Sequence, residues 1–153
     1  MITTISQNPK YYRWVILFVC FLIITFTNGL TLGGLYVFEE EIIKSLSEIT
    51  GENILRADLK LRDALTLWST AAIGFFSGML ADKIGVKKEM ITGMIILSSC
   101  LYFYVQARSL MDMYILHIFM GLVLCISGMI VNVILISKWF NNSGGLAVGI
   151  LLE

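Results

Sequence analysis

Charge is scarce in this chain. Only 14% of its 153 residues are Asp, Glu, Lys or Arg, against roughly 25% in ordinary soluble domains. The 11 bases balance the 11 acids to a formal charge of +0, which excludes a general affinity for nucleic acid or other polyanions. With one proline, Pro-rich linkers and collagen-like repeats are excluded, and a single histidine cannot supply a zinc cage. The three cysteines, Cys20, Cys100 and Cys125, sit in apolar runs without a CxxC pair. Their odd number cannot close a disulfide framework, and they read as small hydrophobes. Gly-rich phosphate loops, Ser/His/Asp sets and HExxH are all missing. No enzyme, no cofactor and no bound metal are expected.

Apolar residues fill the space that charge leaves: 58% of the chain is hydrophobic and the mean hydropathy is +0.84. So much apolar surface must be hidden from water, and lipid is the natural place. A hydrocarbon core of ~30 Å takes about 20 helical residues. Four uncharged runs reach that scale: Trp14 to Phe38, Ala64 to Ala81, Met90 to Ala107, and Met113 to Ser137 with His117 inside it. A fifth, Trp139 to Leu152, is too short to cross comfortably. The runs are continuous and lack the alternation of ~10-residue barrel strands, so they predict helices. The expected fold is an all-α membrane protein with four full transmembrane helices and the start of a fifth. The first run is too long for a signal-peptide core of ~7 to 15 residues and reads as a retained span.

Between the first two runs lies the only long connection, Glu39 to Asp63, carrying Glu39, Glu40, Glu41, Glu48, Glu52, Asp58 and Asp63 beside Lys44, Arg56, Lys60 and Arg62. Its acidic start is expected to be solvated, since three consecutive helical residues point in different directions. The other side holds Lys10, Arg13, Lys83, Lys87, Lys88 and Lys138. With Arg108 on the long connection's side the bases stand six against five, a count that favours a cytoplasmic N-terminus. Trp14, Trp68, Trp139, Tyr11 and Tyr12 lie near the predicted boundaries, as interfacial anchors would.

Between the second and third runs stands Gly78-Met-Leu-Ala-Asp82-Lys83-Ile-Gly85-Val-Lys87-Lys88. Gly85 permits a turn closed to side-chain-bearing residues. Asp82 belongs where a span leaves the membrane, because burial at the bilayer centre would cost ~2.5 to 3.5 kcal/mol. The lysines suit an anionic headgroup layer, each worth ~1 kcal/mol there. On these grounds alone the stretch is a charged turn between two helices.

The same residues resemble the signature loop of the major facilitator superfamily, G-x-L-A-D-R-x-G-R-K, through Gly78, Leu80, Ala81, Asp82, Gly85 and Lys87. Lys83 stands for the first Arg of that pattern and Val86 for the second, which removes one charge from the gate this loop forms in the family. The stretch Lys138-Trp139-Phe140 to Gly145-Leu146-Ala147-Val-Gly149 is similar to the W-F-x-x-x-R-G-x-A-x-G turn of monocarboxylate and oxalate/formate-type carriers, with Ser143 and Gly144 in place of the usual basic residues. Gly34, Tyr36 and Phe38 resemble a Gly-x-Tyr-x-x-Phe element, with one residue fewer between the aromatics than that pattern has.

The resemblance implies a secondary transporter of two six-helix halves that holds a small solute between them and releases it by alternating access. Its lower-level branch implies a small organic anion, moved by symport or antiport, and its topology implies a plasma-membrane protein with the N-terminus inside. Residues 1–153 would then be an incomplete N-terminal half, whether a truncated product, a partial sequence or one piece of a split protein, and its partners would be the missing helices or another membrane chain. The rival reading is a complete four-span scaffold or accessory subunit that binds partner helices through glycine seams.

Within the spans, Gly29/Gly33, Gly74/Gly78 and Gly145/Gly149 form G-x-x-x-G pairs expected to serve helix packing. Polar residues near the midplane are the functional candidates, because their burial is costly without water, solute or another helix. Asn28 shares a helical face with Thr25, Gly29, Gly33 and Tyr36, a cavity wall or an interhelical hydrogen-bonding face. His117, Gly121, Leu124, Gly128 and Asn132 share another. His117-x-x-x-Gly121 falls where many family members carry Arg-x-x-x-Gly. A histidine there either carries a coupling proton or reaches water near the membrane surface. Asn132 is the third substrate-path candidate.

Overall fold

The computed structural model describes residues 9–140 and 144–152. Every regular element among them is helical: α1 (Pro9–Asn28), α2 (Glu39–Thr50), α3 (Arg56–Ile84), α4 (Val86–Tyr104), α5 (Leu110–Ser127), α6 (Met129–Trp139) and α7 (Gly144–Leu152). Three continuous stretches, Tyr11–Tyr36, Arg56–Ile84 and Leu110–Trp139, are long and apolar enough to cross a membrane. Large apolar side chains cover the outside, Val105, Phe75 and Trp68 among the most exposed. In water that surface would cost about 25 cal/mol per Å²; lipid removes the penalty.

Local chemistry explains the boundaries. The first apolar run does not stay α-helical: at Gly29–Gly33 it widens into a π turn and then tightens into a 3-10 turn at Gly34–Tyr36. A Cβ on Gly34 would sit 2.9 Å from the Gly29 carbonyl oxygen, so this close approach needs glycine. The hydroxyls of Thr27 and Thr31, both buried, bond back to carbonyls one turn earlier and satisfy themselves inside the bundle. At the start of α3, Asp58 accepts the Leu55 N–H at 3.1 Å. Ser109 and Asp112 cap the start of α5 reciprocally, each bond 3.1 Å. One residue, Gly85, joins α3 to α4 with φ 85° and ψ 139°, a region essentially restricted to glycine.

Two features depart from the sequence reading. The long connection is not all loop: α2 folds from its first half, and α3 begins at Arg56, well before the apolar run at Ala64. The apolar stretch Met113 to Ser137 is two helices, interrupted where Gly128 turns extended at φ −80°, ψ −156°. A Cβ at Gly128 would collide with the Leu124 carbonyl. The third run is α4, which carries Lys87, Lys88 and Glu89 in its first turn and stops at Tyr104.

Helix α5 lies between α3 and α4. It runs parallel to α3, as the pairs Thr66/His117 and Thr70/Gly121 show. Against α4 it runs antiparallel, with Tyr104 beside His117 and Gly93 beside Ser127. Small residues permit the crossings: a Cβ on Gly121 would strike Ser69 Oγ and the Thr66 carbonyl, and one on Gly93 would come within 2.5 Å of Ser127 Oγ. Two apolar clusters hold the ends. One, at the Gly85 end, joins Leu17, Cys20, Ala81, Met90, Ile136 and Ala147. The other, beneath α2, joins Leu46, Leu59, Cys100, Met113 and Met120.

Candidate functional site

Polar groups inside the bundle gather at two levels. The first lies beneath α2. Helix α2 turns Glu39 inward, where it is 2% exposed, onto the first turns of α3. Glu39 Oε2 accepts from Arg56 Nε at 2.8 Å, and Oε1 lies 2.8 Å from Lys60 Nζ. One turn deeper, Arg62 is fully buried. Its Nη1 donates to Tyr104 Oη at 2.6 Å, while Asp63 Oδ1 and Glu39 Oε1 lie 3.4 and 4.0 Å from its other nitrogens. The Tyr104 ring stands 5.7 Å from the His117 ring, and His117 Nδ1 is 2.8 Å from Thr66 Oγ1. The column Glu39, Arg62, Tyr104, His117, Thr66 therefore joins four helices.

Its electrostatics follow from the count. Arg56, Lys60 and Arg62 face Glu39 and Asp63, three cations against two carboxylates, which leaves one positive charge. The Lys60 hydrogen bond, reinforced by Arg56 and partly opposed by burial, holds the Glu39 carboxyl below its usual range. Thr66 Oγ1 also lies 3.2 Å from the carbonyls of Arg62 and His117. Whichever acceptor takes its single proton, His117 Nε2 has no hydrogen-bond partner among the described residues; nor do Arg62 Nε and Nη2.

The second level lies at the Gly128 break. Asn132 reaches back across it, Nδ2 donating to the Ser127 carbonyl at 2.9 Å and the Gly128 carbonyl at 2.7 Å. Asn132 Oδ1, Ser77 Oγ and both Glu89 carboxylate oxygens are buried without a hydrogen-bond partner among the described residues.

Of the substrate-path candidates, His117 and Asn132 are fully buried in the bundle interior, at different levels. Asn28 is half-buried at the start of the π turn, and its face-mates Thr25, Gly29, Gly33 and Tyr36 are exposed, while Thr27 and Thr31 point inward. In the loop motif Asp82, Lys83, Gly85 and Lys87 are exposed around the α3–α4 turn. A Cβ on Gly74 would stand 3.9 Å from Cys125 Sγ, whereas Gly29, Gly33, Gly78, Gly145 and Gly149 have open space where a Cβ would stand. The centre of the Trp139–Gly149 motif, residues 141–143, lies outside the described residues.

The acidic start of the connection is corrected in one member: Glu40 and Glu41 are exposed, but Glu39 is buried and paired. Arg62, Tyr104 and Thr66 escaped the sequence reading because Arg62 sat in what looked like a loop. The signal was present as Leu59, Arg62 and Thr66 at helical spacing, a stripe that α3 buries. Glu89 escaped by standing one residue before an apolar run. Among the described residues no three His, Cys, Asp or Glu side chains gather as a metal cluster. No family model, curated protein or solved structure matches this chain.

Proposed function

We propose that this bundle serves transmembrane movement of a small organic anion by alternating access, as symporter or antiporter, with no catalytic step. The observation that carries this reading is the buried column from Glu39 through Arg62 and Tyr104 to His117. An ionisable side chain inside a membrane bundle is costly and marks a solute or ion path by default. Here Arg62 and His117 present three buried nitrogens without hydrogen-bond partners among the described residues, and the exposed Arg56 and Lys60 bring the surrounding cluster, Glu39 and Asp63 included, to one net positive charge, which suits a carboxylate. A helix broken at membrane depth, as at Gly128, is tolerated in lipid only where protein or a cavity surrounds it, and is common in transporters.

The exposed turn of Asp82, Lys83, Gly85 and Lys87, with its likeness to the major facilitator loop, supports four spans (α1, α3, α4 and the α5–α6 pair), a gate at this end, and a plasma-membrane placement with this end and the N-terminus inside. The bases at the Gly85 end agree with that orientation. Partners on this reading are the solute, the bilayer and further transporter helices. A second reading, a membrane scaffold or accessory subunit, is favoured by the open glycines at 29, 33, 78, 145 and 149, which leave room for partner helices.

The test is uptake of labelled formate, acetate, lactate and oxalate into proteoliposomes holding the product of the full reading frame that contains this chain. Saturable uptake of one of them is expected, with KM raised at least tenfold in Arg62→Gln and pH dependence altered in His117→Ala. No uptake of any carboxylate would sink the transport reading and leave the scaffold, and uptake with unchanged kinetics in both variants would remove Arg62 and His117 from the solute path.

A further inference from the structure

We infer that the Gly128 break holds a monovalent cation, sodium, coordinated by Glu89, Asn132, Ser77 and main-chain carbonyls at the end of α5. Register brings these groups to one level. Along the parallel pair of α3 and α5, Thr66 meets His117, Thr70 meets Gly121 and Gly74 meets Cys125; the next turn sets Ser77 level with Gly128. Along the antiparallel pair of α4 and α5, Tyr104 meets His117 and Gly93 meets Ser127; one turn on, Glu89 falls level with Val131 and Asn132. Ser77 follows the buried face of Thr66, and Glu89 that of Gly93, so both turn toward the broken helix.

At that level stand four side-chain oxygens without hydrogen-bond partners among the described residues: both of Glu89, Oδ1 of Asn132 and Oγ of Ser77. Glu89 and Asn132 are fully buried, and Ser77 is 1% exposed. A buried carboxylate with no partner is among the costliest groups a fold can carry. Asn132 Nδ2 is committed to the Ser127 and Gly128 carbonyls, which leaves its oxygen as the free end. Ending α5 at Ser127 also deprives its last carbonyls of intrahelical donors.

The donor set names the ligand's chemistry. All the donors are hard oxygens, which select alkali and alkaline-earth ions over zinc or copper. One carboxylate among neutral oxygens balances a single positive charge. A divalent ion would keep an uncompensated charge in low dielectric. Carbonyls at a half-helix C-terminus are a recurring cation ligand in membrane bundles.

The test is equilibrium binding of 22Na⁺ to the detergent-solubilised chain, with thermal unfolding in NaCl against choline chloride at equal ionic strength. One ion per wild-type chain is expected, with a sodium-specific rise in Tm. Glu89→Gln should abolish both; Ser77→Ala and Asn132→Ala should each weaken binding roughly tenfold, as loss of one ligand worth about 1.4 kcal/mol would; Glu48→Gln, at an exposed position on α2, should leave it unchanged. No 22Na⁺ bound by the wild type, or a sodium response retained in Glu89→Gln, overturns the site. The wild-type stoichiometry decides even where a variant fails to fold. Binding in detergent needs no flux, so its failure and that of the transport reading are read separately.

Discussion

Arg62 Nη1 donates to Tyr104 Oη at 2.6 Å across the gap between α3 and α4. The guanidinium is fully buried, so this bond and the flanking Glu39 and Asp63 carboxylates stand in for the water it lost. Removing the arginine strands both. Arg62→Met is expected to destabilise the bundle by about 3–5 kcal/mol, and Tyr104→Phe by about 1.5–3 kcal/mol, as for hydrogen bonds to charged groups. The double variant should cost clearly less than the sum. Equilibrium unfolding in mixed micelles measures all three, and strict additivity would show that the two side chains do not act together.

Glu39 makes the network pH-sensitive in a defined direction. Lys60, then Arg56, hold its carboxyl below the ordinary 4.5 despite burial. A depressed folded-state pKa contributes stability that is fully present above the unfolded value and lost as pH falls through the folded one. Wild-type stability should be flat from neutral pH down to about 4.5 as far as this group is concerned and then drop, whereas Glu39→Gln should start lower and show a shallower acid slope. Parallel acid slopes in the two proteins would remove Glu39 from this role.

Gly121 is required by the crossing of α3 and α5, because a Cβ would strike both Ser69 Oγ and the Thr66 carbonyl. Gly121→Ala should cost about 1–3 kcal/mol through overpacking. Adding Ser69→Ala should recover only part of this, since the backbone carbonyl remains in the way. Full recovery, measured as Tm in detergent, would place the clash on Ser69 alone.

The glycines of the loop motif separate cleanly. Gly85 sits at φ 85°, ψ 139°, so Gly85→Ala should cost about 1–3 kcal/mol in backbone strain. Gly78 is helical with open space around it, and Gly78→Ala should be neutral or stabilise by up to about 1 kcal/mol. Equal effects of the two substitutions on unfolding would contradict this assignment.

The sequence by itself determined the apolar medium and the helical class. Uncharged runs on the scale of a bilayer can satisfy their backbone only as helices, and the scarcity of charge made lipid their solvent. It also placed a glycine turn at Gly85 and named His117 and Asn132 as substrate-path candidates, while leaving open whether His117 reaches water. Tertiary structure alone decided which charges are paired and where the longest apolar stretch breaks. Glu39 and Arg62 looked like two members of a charged loop, and Glu89 like the edge of one; their burial depends on α2 folding onto α3 and on the register of α5 between its neighbours. Periodicity along one helix reports which residues share a face. The energy of a buried charge is set by what stands across from that face, and the order of residues does not contain that distance.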